Sequence, residues 1–482
     1  MTSSEKNLRY ISTCMVRPAS RQADERTPQR VDLTVWDLTL LPYQYMQRGL
    51  LYIKPMPIKY HYPKQEEEES INNIITHLKN SLAKTLDHFF PFAGRLATTI
   101  HDDDEDAKYS VYINCDSSGA EFIHAAMDVT VADIISPIYV PLDIVRSFFS
   151  LEGVLNYNGQ SKPLLSIQVT ELIDGIFIGF SINHSVCDGT SFWHFFNSWS
   201  EMCKGGGDGS DHHDHISRLP ILERWFPKNI DGPPIHLPFS ISDGNFAERY
   251  KYIPPPSFEV RIFHFTRENI VKLKSKANLQ QTESVDKKNY ISSFQALLSH
   301  IWLAVTRARC LDSKDEDTSY RLVIGNRTRL NPPLPDGYFG SSFMIGEATA
   351  KASELLERGI SWGALLLKKL VGSYDNASIQ SYCETWVEKP VLQARSATVS
   401  ATLMTGGSPR FNMHGNDFGW GKPIAVRGGI SNKRQGKITA IPGPVEGSID
   451  LEVCFSLDML KAMADDPEFM EAVTVLPPYR SV

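Results

Sequence analysis

The sequence lacks the features that mark secreted and membrane proteins. Its seven cysteines are scattered over 482 residues and include no Cys-x-x-Cys pair. This odd, dispersed set argues against a disulfide framework and favours a reducing compartment. The stretch "MTSSEKNLRYISTCMVRPAS" contains no apolar segment of the kind a secretory signal needs. No apolar run approaches the roughly 18 residues of a membrane span. We therefore expect a cytoplasmic protein without a membrane span. We also expect a monomer.

An excess of basic charge and several well-known motifs are also missing. The chain has 49 Lys and Arg against 56 Asp and Glu, a net charge of −7, and no basic stripe, so nucleic acid is not an expected partner. The sequence contains no Gly-x-Ser-x-Gly, Gly-x-Gly-x-x-Gly or phosphate-loop lysine motif. The "HHDH" cluster at 212–215 lies in the glycine-rich stretch "KGGGDGSDHHDH", which is more typical of a loop than of a metal site. We expect no metal.

The length and the mixture of elements predict two α/β domains. A chain of 482 residues exceeds one ordinary core. Helical and strand-like periods alternate in both halves, and a glycine- and proline-rich stretch separates them. We predict domains at 1–203 and 237–482, joined by a crossover loop at 204–236. In the first half, "SINNIITHLKNSLAKTLDHFF" predicts a helix with Ser70 as its N-cap.

One segment, "GIFIGFSINHSVCDGTSFWHFF" (175–196), changes its hydrophobic period in the middle. Apolar residues alternate from Ile176 to Ile182, as in a β-strand, and recur at helical spacing from Thr190. His184 lies at this strand-to-helix junction. It is an even number of residues from the apolar residues of the strand, so we expect its imidazole to be directed inward like their side chains. Imidazole suits general base catalysis because its unperturbed pKa is about 6.5.

The same residues have simpler interpretations. His184 could be a core histidine bound to the backbone, and Asp188 could be only the N-cap of the following helix. The His-x-x-x-Asp spacing also occurs at His124–Asp128, which we interpret as a coincidence in a helix or loop. Spacing alone therefore leaves the role of His184 open.

Two motifs in order resolve this ambiguity. "NHSVCDG" at mid-chain and "DFGWGKP" at 417–423 together resemble the plant BAHD acyltransferases, which are acyl-CoA-dependent enzymes. Supporting stretches such as "LKNSLAKTLDHFFPFAGRL" and "NRTRLNPPLPDGYFG" extend the resemblance over almost the whole chain. One departure is Asn183, where many relatives have a second histidine. Because the mechanism of the family rests on the histidine at 184, this departure puts little of the resemblance in doubt.

The resemblance implies a fold and a mechanism. It implies two chloramphenicol-acetyltransferase-like domains, each a mixed β-sheet with flanking helices, and a channel between them. His184 would act as general base without a covalent enzyme intermediate, on acyl-CoA as co-substrate and with no permanently bound cofactor. Asp188 would pair with an arginine of "NRTR", Arg327 rather than Arg329. The indole N–H of Trp420 is our candidate oxyanion donor, and Asp417 and Gly419 of the same motif would support the site.

Substrate residues are expected from the same resemblance, although capping, surface charge or packing explains each equally well. Groups near the helix "ISSFQALLSH" that would contact CoA are Lys272, Lys274, Ser292 and Ser293. Residues that would line the acceptor pocket are Thr34, Trp36, Tyr43, Arg410 and Asn412. The acceptor is expected to be a hydroxyl or amine of a plant specialised metabolite. The stretch "SPRFNMHGNDFGWGKPIAVRGG" also looks like a branch that contains an isochorismoyl-glutamate lyase, so a CoA-independent lyase is the alternative.

Overall fold

The computed structural model describes residues 8–20, 29–54, 64–101, 108–205, 216–230, 232–279, 290–309, 316–393 and 402–475. Its helices are α1 Val35–Leu38, α2 Lys64–His88, α3 Val131–Ile135, α4 Leu142–Arg146, α5 Gly189–Gly205, α6 Gly244–Arg249, α7 Arg267–Leu279, α8 Ser293–Ala308, α9 Ala352–Gly372, α10 Asn376–Glu388, α11 Leu457–Asp465 and α12 Pro467–Met470. Its strands are β1 Arg9–Val16, β2 Gln29–Asp32, β3 Met46–Ile53, β4 Arg95–His101, β5 Lys108–Cys115, β6 Ala120–Ala126, β7 Leu165–Glu171, β8 Gly175–Ile182, β9 Glu259–Phe265, β10 Asp317–Gly325, β11 Phe343–Lys351, β12 Thr402–Gly407, β13 Ala425–Arg427, β14 Lys437–Pro442 and β15 Ile449–Phe455.

Each half of the chain contains one mixed six-stranded sheet. This confirms the predicted α/β fold with two sheet-containing domains. The first has the strand order β1-β6-β7-β8-β3-β13 and the second the order β11-β10-β12-β14-β15-β9. A smaller sheet, β2-β5-β4, accompanies the first. The predicted boundaries 1–203, 204–236 and 237–482 stay a prediction, and the "HHDH" cluster lies outside the described residues.

Strand β13 links the halves, because it comes from the second half of the sequence but pairs with β3 of the first sheet. Nearby, Lys433 Nζ lies 2.9 Å from Glu452 Oε1, and both side chains are buried. Arg48 of β3 and Arg427 of β13 also act on this carboxylate: burial alone would raise the pKa of Glu452, but the three surrounding cations hold it below its ordinary value. The two halves therefore share a strand and a buried charge cluster.

Two sequence predictions fail on local structure. Helix α2 begins at Lys64, six residues before the predicted N-cap Ser70, because Lys, Gln and Glu are good helix formers. His124 lies in strand β6 rather than in a helix or loop, with Nε2 2.6 Å from Glu171 Oε1. The histidine of the second His-x-x-x-Asp copy thus makes a structural contact with Glu171.

The hairpin that carries the central motif forms as predicted. Strands β7 and β8 pair antiparallel around Asp174 and Gly175, and every residue of β8 is buried. Beyond Ile182 the chain turns and enters α5 at Gly189. The aromatic face of α5 packs on the sheet through contacts such as Phe196 on Phe180, with ring centroids 4.3 Å apart. This packing fixes the turn between strand and helix.

Candidate active site

The turn that carries His184 is held by hydrogen bonds on both sides. The His184 backbone N–H donates to Asn156 Oδ1 over 2.8 Å. The buried Asn183 amide donates to the Asn156 carbonyl over 2.7 Å and to the Tyr45 hydroxyl over 3.2 Å. The side chain of Asn183 therefore anchors the turn.

The contacts of the His184 ring select one tautomer. Nδ1 lies 2.9 Å from the Cys187 carbonyl oxygen. Since a carbonyl can only accept, Nδ1 carries the proton and Nε2 keeps its lone pair. Burial lowers the pKa of His184, partly offset by this hydrogen bond, so the neutral form is favoured at physiological pH. The arrangement presents a basic nitrogen at the end of β8.

Cys187 is not a nucleophile in this arrangement. Its side chain is fully buried, and burial raises the pKa of the thiol well above its ordinary value. Because only the thiolate is reactive, such a cysteine is inert. Its function in the turn is carried by its backbone carbonyl.

The Asp188 carboxylate bonds to the second half of the chain, whereas the His184 ring bonds to the Cys187 carbonyl. Its carboxylate pairs with Arg327 in a two-point contact, Oδ2 to Nη1 at 2.5 Å and Oδ1 to Nη2 at 3.1 Å. It also accepts from the backbone N–H groups of Ser191 and Ser342 at 3.0 and 3.1 Å. Burial alone would raise the pKa of Asp188, but Arg327 and these donors hold it below its ordinary value. Asp188 is thus both the cap of α5 and a link between the halves.

The neighbouring Arg329 lies elsewhere. Its guanidinium donates to the backbone carbonyls of Val371 and Tyr374, over 3.0 and 2.7 Å. The two arginines of "NRTR" therefore bind different partners: Arg327 pairs with Asp188, and Arg329 binds backbone carbonyls.

A second set of contacts around the turn was not predicted from the sequence. The buried Asp37 accepts from the Ser341 N–H over 3.0 Å, and the Ser341 hydroxyl donates to the His184 carbonyl over 3.3 Å. Arg224 donates to the Val186 carbonyl over 2.8 Å and lies 3.9 Å from Asp37. A capping box at Thr34–Asp37 was the one available signal.

Trp420 lies far from His184, which corrects its assignment as the oxyanion donor. Its ring contacts Tyr52 with centroids 6.2 Å apart, and Tyr52 pairs with Ile176 at the start of β8. Ile182, at the other end of β8, is six residues from Ile176, about 20 Å at strand spacing, and His184 follows two residues later. The stacked neighbour Phe418 packs on Trp199 at 4.7 Å. The motif therefore lies near the carboxyl end of α5.

The remaining motif residues build a tight loop at that end of the helix. Asp417 Oδ1 accepts from the N–H groups of Gly419 and Gly421, both over 2.9 Å. Its other oxygen lies 2.7 Å from Lys204 Nζ. Gly419 has φ +106°, a conformation that favours glycine. The loop thus fastens the end of α5 rather than the reacting groups.

We expect Trp420→Phe to keep turnover within about threefold of wild type, because Phe preserves the stacking on Phe418 and no reacting group lies within reach of the indole. Loss of an oxyanion donor would instead cost about 10²–10³ in kcat. Steady-state kinetics of the purified variant, with its melting temperature as the folding control, distinguishes the two. A hundredfold fall in kcat at unchanged stability would return Trp420 to the catalytic centre.

The predicted acceptor residues divide into packed and exposed groups. Thr34 caps α1 and donates to Asp37 Oδ2 over 2.8 Å. Trp36 is buried and stacks on Trp225 with centroids 5.0 Å apart. Tyr43 is half-buried, while Arg410 and Asn412 are exposed. Between the latter two, Phe411 lies against Gly189, so this loop runs past the start of α5 close to the His184 turn.

Three of the four predicted CoA residues, Lys274, Ser292 and Ser293, lie at or near the N-terminus of α8. Ser292 is the N-cap of α8 and accepts from the Gln295 N–H over 3.3 Å. Lys274 Nζ lies 4.9 Å from the ring centroid of Tyr290, which precedes α8 closely in sequence. Ser293 is half-buried and Lys272 is exposed on α7. The sequence thus places basic and hydroxyl groups around a helix N-terminus, a favourable setting for phosphate.

The described residues were also considered for a metal site and for a membrane-spanning helix. Among the residues that the structure describes, no group of three or more His, Cys, Asp or Glu side chains is arranged to hold a metal ion. Within the same residues, no helix combines the length and the apolar character that crossing a membrane requires.

Comparison with known proteins finds one family model and several similar plant proteins. The model of the Transferase family matches residues 6–470. The chain is 38% identical to an uncharacterized acetyltransferase of Arabidopsis thaliana over 96% of its length and 98% of the relative. It is 34% identical to the BAHD acyltransferase DCR of the same plant, covering 91% and 88%. The shikimate O-hydroxycinnamoyltransferase of Nicotiana tabacum is 28% identical, over 80% and 85%.

Solved structures share the fold. Vinorine synthase superposes with a TM-score of 0.68 at 19% identity, covering 97% of this chain and 98% of that one. The Fusarium sporotrichioides TRI101 protein, solved with coenzyme A and T-2, gives 0.67 at 16% identity over 92% and 99%. At these identities the likeness concerns the fold, which is the two-domain architecture expected from the sequence.

Proposed function

Because the chain belongs to the Transferase family of BAHD acyltransferases and is thus an acyl-CoA-dependent acyltransferase, we propose that His184 is its general base. The acceptor is a hydroxyl or amine of a plant specialised metabolite. The observation that carries this proposal is the ring geometry of His184, with Nδ1 bound to the Cys187 carbonyl at 2.9 Å. That contact leaves the Nε2 lone pair as the base.

The proposed reaction needs no covalent enzyme intermediate. Nε2 of His184 takes the proton of the acceptor O–H or N–H while the acceptor atom attacks the thioester carbonyl carbon. The C–S bond then breaks, and the imidazolium returns the proton to the departing thiolate of CoA. The lowered pKa of His184, caused by burial, keeps the ring neutral before the reaction and favours this return.

Positioning residues act through the turn. The Asp188–Arg327 pair ties the start of α5 to the second half of the chain, so it sets where the His184 ring can lie. Asp417 and Gly419 support the same helix from its other end. We assign none of these residues a proton in the reaction.

The substrates reach His184 from different sides in this proposal. The phosphates of acyl-CoA bind near the N-terminus of α8, with Lys272, Lys274, Ser292 and Ser293 as candidate contacts. The acceptor binds beside Trp36 and Tyr43 and the loop of Arg410 and Asn412, with Thr34 shaping the wall. We further propose a cytoplasmic monomer that needs neither metal nor permanently bound cofactor. The acyltransferase relatives favour transfer over the lyase alternative.

The test is a panel of CoA thioesters crossed with a plant metabolite extract. We expect free CoA thiol to appear together with a product heavier by the acyl group, because transfer releases one thiol for each acyl group moved. Protein with His184→Ala serves as the matched control. Consumption of an isochorismate-derived conjugate without thiol release would instead establish the lyase.

A further inference from the structure

The side chain of Arg224 reaches the His184 turn from a segment that is distant in sequence. Its Nη2 donates to the carbonyl of Val186 over 2.8 Å. The Arg224 side chain is only 3% exposed, and Val186 is fully buried. The next carbonyl along the chain, that of Cys187, lies 2.9 Å from His184 Nδ1. Arg224 therefore binds the turn directly before the group that selects the tautomer of the ring.

The direction of the Cys187 carbonyl depends on the peptide groups on both sides of this residue. Because each peptide group is planar, only the two backbone torsions of Cys187 connect them. Arg224 holds the peptide group on the amino side. On the carboxyl side, Asp188 is held by its pair with Arg327. With both neighbours anchored, the carbonyl keeps the direction in which it accepts from His184 Nδ1.

The segment that carries this arginine, 221–225, is docked at both of its ends. The Ile221 N–H donates to the Gly337 carbonyl over 2.8 Å. At the other end, Trp225 stacks on Trp36 of α1, with ring centroids 5.0 Å apart. The arginine between these contacts is thus presented to the turn from a fixed position.

The hydrogen bonding of Arg224 is incomplete. Among the described residues, its buried Nε and Nη1 have no hydrogen-bond partner. The carboxylate of Asp37 lies 3.9 Å from Nη1, beyond hydrogen-bond distance. Buried donors without partners cost stability, and chains tolerate such local defects mainly at functional sites. The bond to Val186 therefore explains this arginine better than a complete structural network does.

We propose that Arg224 is a positioning residue for His184. It holds the Val186 carbonyl so that the Cys187 carbonyl keeps the ring proton on Nδ1 and the lone pair on Nε2. The proposal rests on the proposed function of His184 as the base. Without Arg224 the peptide group can turn, and the ring then populates the form protonated on Nε2, which cannot take the acceptor proton. We assign Arg224 no contact with either substrate.

The experiment compares Arg224→Met and Arg224→Lys with wild type. Arg329→Met is the matched control, because Arg329 also donates to backbone carbonyls, those of Val371 and Tyr374. For each protein we would measure kcat, the KM of both substrates and the pH dependence of kcat. Nitrogen-15 NMR of histidine-labelled protein reports the tautomer, and His184→Ala identifies the signal of this ring. Melting temperatures verify folding.

We expect kcat of Arg224→Met to fall about ten- to a hundredfold, as for the loss of a hydrogen bond from a charged donor. Both KM values should stay unchanged, and the ring signal should move toward the Nε2–H form. The hydrogen bond to Cys187 raises the pKa of His184, so its loss should move the acidic limb to lower pH. Asp188 and Lys437, the charged groups that act on the ring, are unchanged in this variant.

Arg224→Lys keeps the charge and a donor but loses the planar fork. Its kcat should fall by about three- to tenfold, a smaller loss than in Arg224→Met. If Arg224→Met does not fold, Arg224→Lys decides the proposal by the same measurements. Arg329→Met should keep the wild-type kcat, pH profile and ring signal.

Several results would overturn the proposal. One is wild-type kcat in the Arg224 variants, and another is a lower kcat with an unchanged ring signal. A raised KM at unchanged kcat also overturns it, because Arg224 would then contact a substrate. So does an equal fall in Arg329→Met, because the effect would then be a general loosening of the fold.

Failure of the proposed function would be distinguishable. If His184→Ala turns over like wild type, His184 is not the base, and NMR still decides whether Arg224 sets the tautomer of its ring. A larger Nε2–H fraction in Arg224→Met supports the positioning role. An unchanged ring signal overturns it.

Discussion

His184→Ala is expected to lower turnover by about 10²–10⁴-fold, the usual contribution of a positioned general base, with the chain still folded. The ring is held through the hydrogen bond of Nδ1 to the Cys187 carbonyl, while the backbone of the turn is held by Asn156 and Ser341. Removing the imidazole therefore removes the base and leaves the turn. Turnover and thermal melting of the same preparation check both parts.

The pH dependence of turnover tests the role of His184 in a second way. Only neutral His184 can take a proton, so activity falls as the pH drops through the pKa of the folded enzyme. Burial lowers this pKa below the ordinary value of about 6.5. We therefore expect a plateau that extends below pH 6.5, and an acidic limb that disappears from the residual activity of His184→Ala.

The matched control is His194→Ala. His194 is a buried histidine of α5 whose Nε2 lies 2.7 Å from the Arg218 carbonyl. Its loss should lower the melting temperature and keep the chemistry. If His184→Ala turns over like wild type with every acyl donor, His184 is a structural histidine and the mechanism is wrong.

Local patterns predicted the elements that carry the base. The alternation from Ile176 to Ile182 and the helical spacing after Thr190 place His184 at the junction, because each period is a property of contiguous residues. The same logic misplaced the start of α2. The apolar pattern begins at Ile71, but the helix begins at Lys64, since Lys, Gln and Glu are good helix formers and can extend a helix beyond its apolar pattern.

Long-range placement was the part that local patterns could not supply. Nothing in "DFGWG" indicates which end of α5 it contacts, so Trp420 was assigned to the wrong end. Arg224 carries no local signal either, because the packing of segments distant in sequence brings it to the His184 turn. Arg327 was separable from Arg329 only through the family resemblance.

Asp188→Ala is expected to lose stability as well as activity, and Arg327→Ala should show the same two losses. Asp188 is buried, Arg327 is largely buried, and the two are joined at 2.5 Å. Breaking a buried pair on one side costs roughly 3–5 kcal/mol because the remaining charge stays desolvated. Chemical denaturation at neutral pH, with turnover measured in parallel, tests both variants.

The double variant, with Asp188→Ala and Arg327→Ala combined, measures the interaction between the two charges. When both charges are removed, neither is left unpaired, so the double variant should be damaged less than the sum of the singles. Asp188→Asn should retain more of the fold than Asp188→Ala, because its one amide oxygen can still accept from either the Ser191 or the Ser342 N–H group, which bind different oxygens of Asp188. Arg329→Ala is the matched control, since this arginine of the same loop binds only backbone carbonyls.

The pH dependence of stability has a definite sign. Arg327 and the backbone donors hold the pKa of Asp188 below its ordinary value against the effect of burial. A carboxyl whose pKa is depressed by folding stabilises the protein above its unfolded pKa, about 3.9. That contribution is lost as the pH falls through the folded value, so wild type and Asp188→Asn should converge in stability in acid. If Asp188→Ala melts like wild type and loses turnover alone, Asp188 is a catalytic partner of His184. In a serine-protease triad the carboxylate bonds the histidine ring directly, whereas here the Nδ1 proton goes to Cys187, which is why we expect the structural outcome.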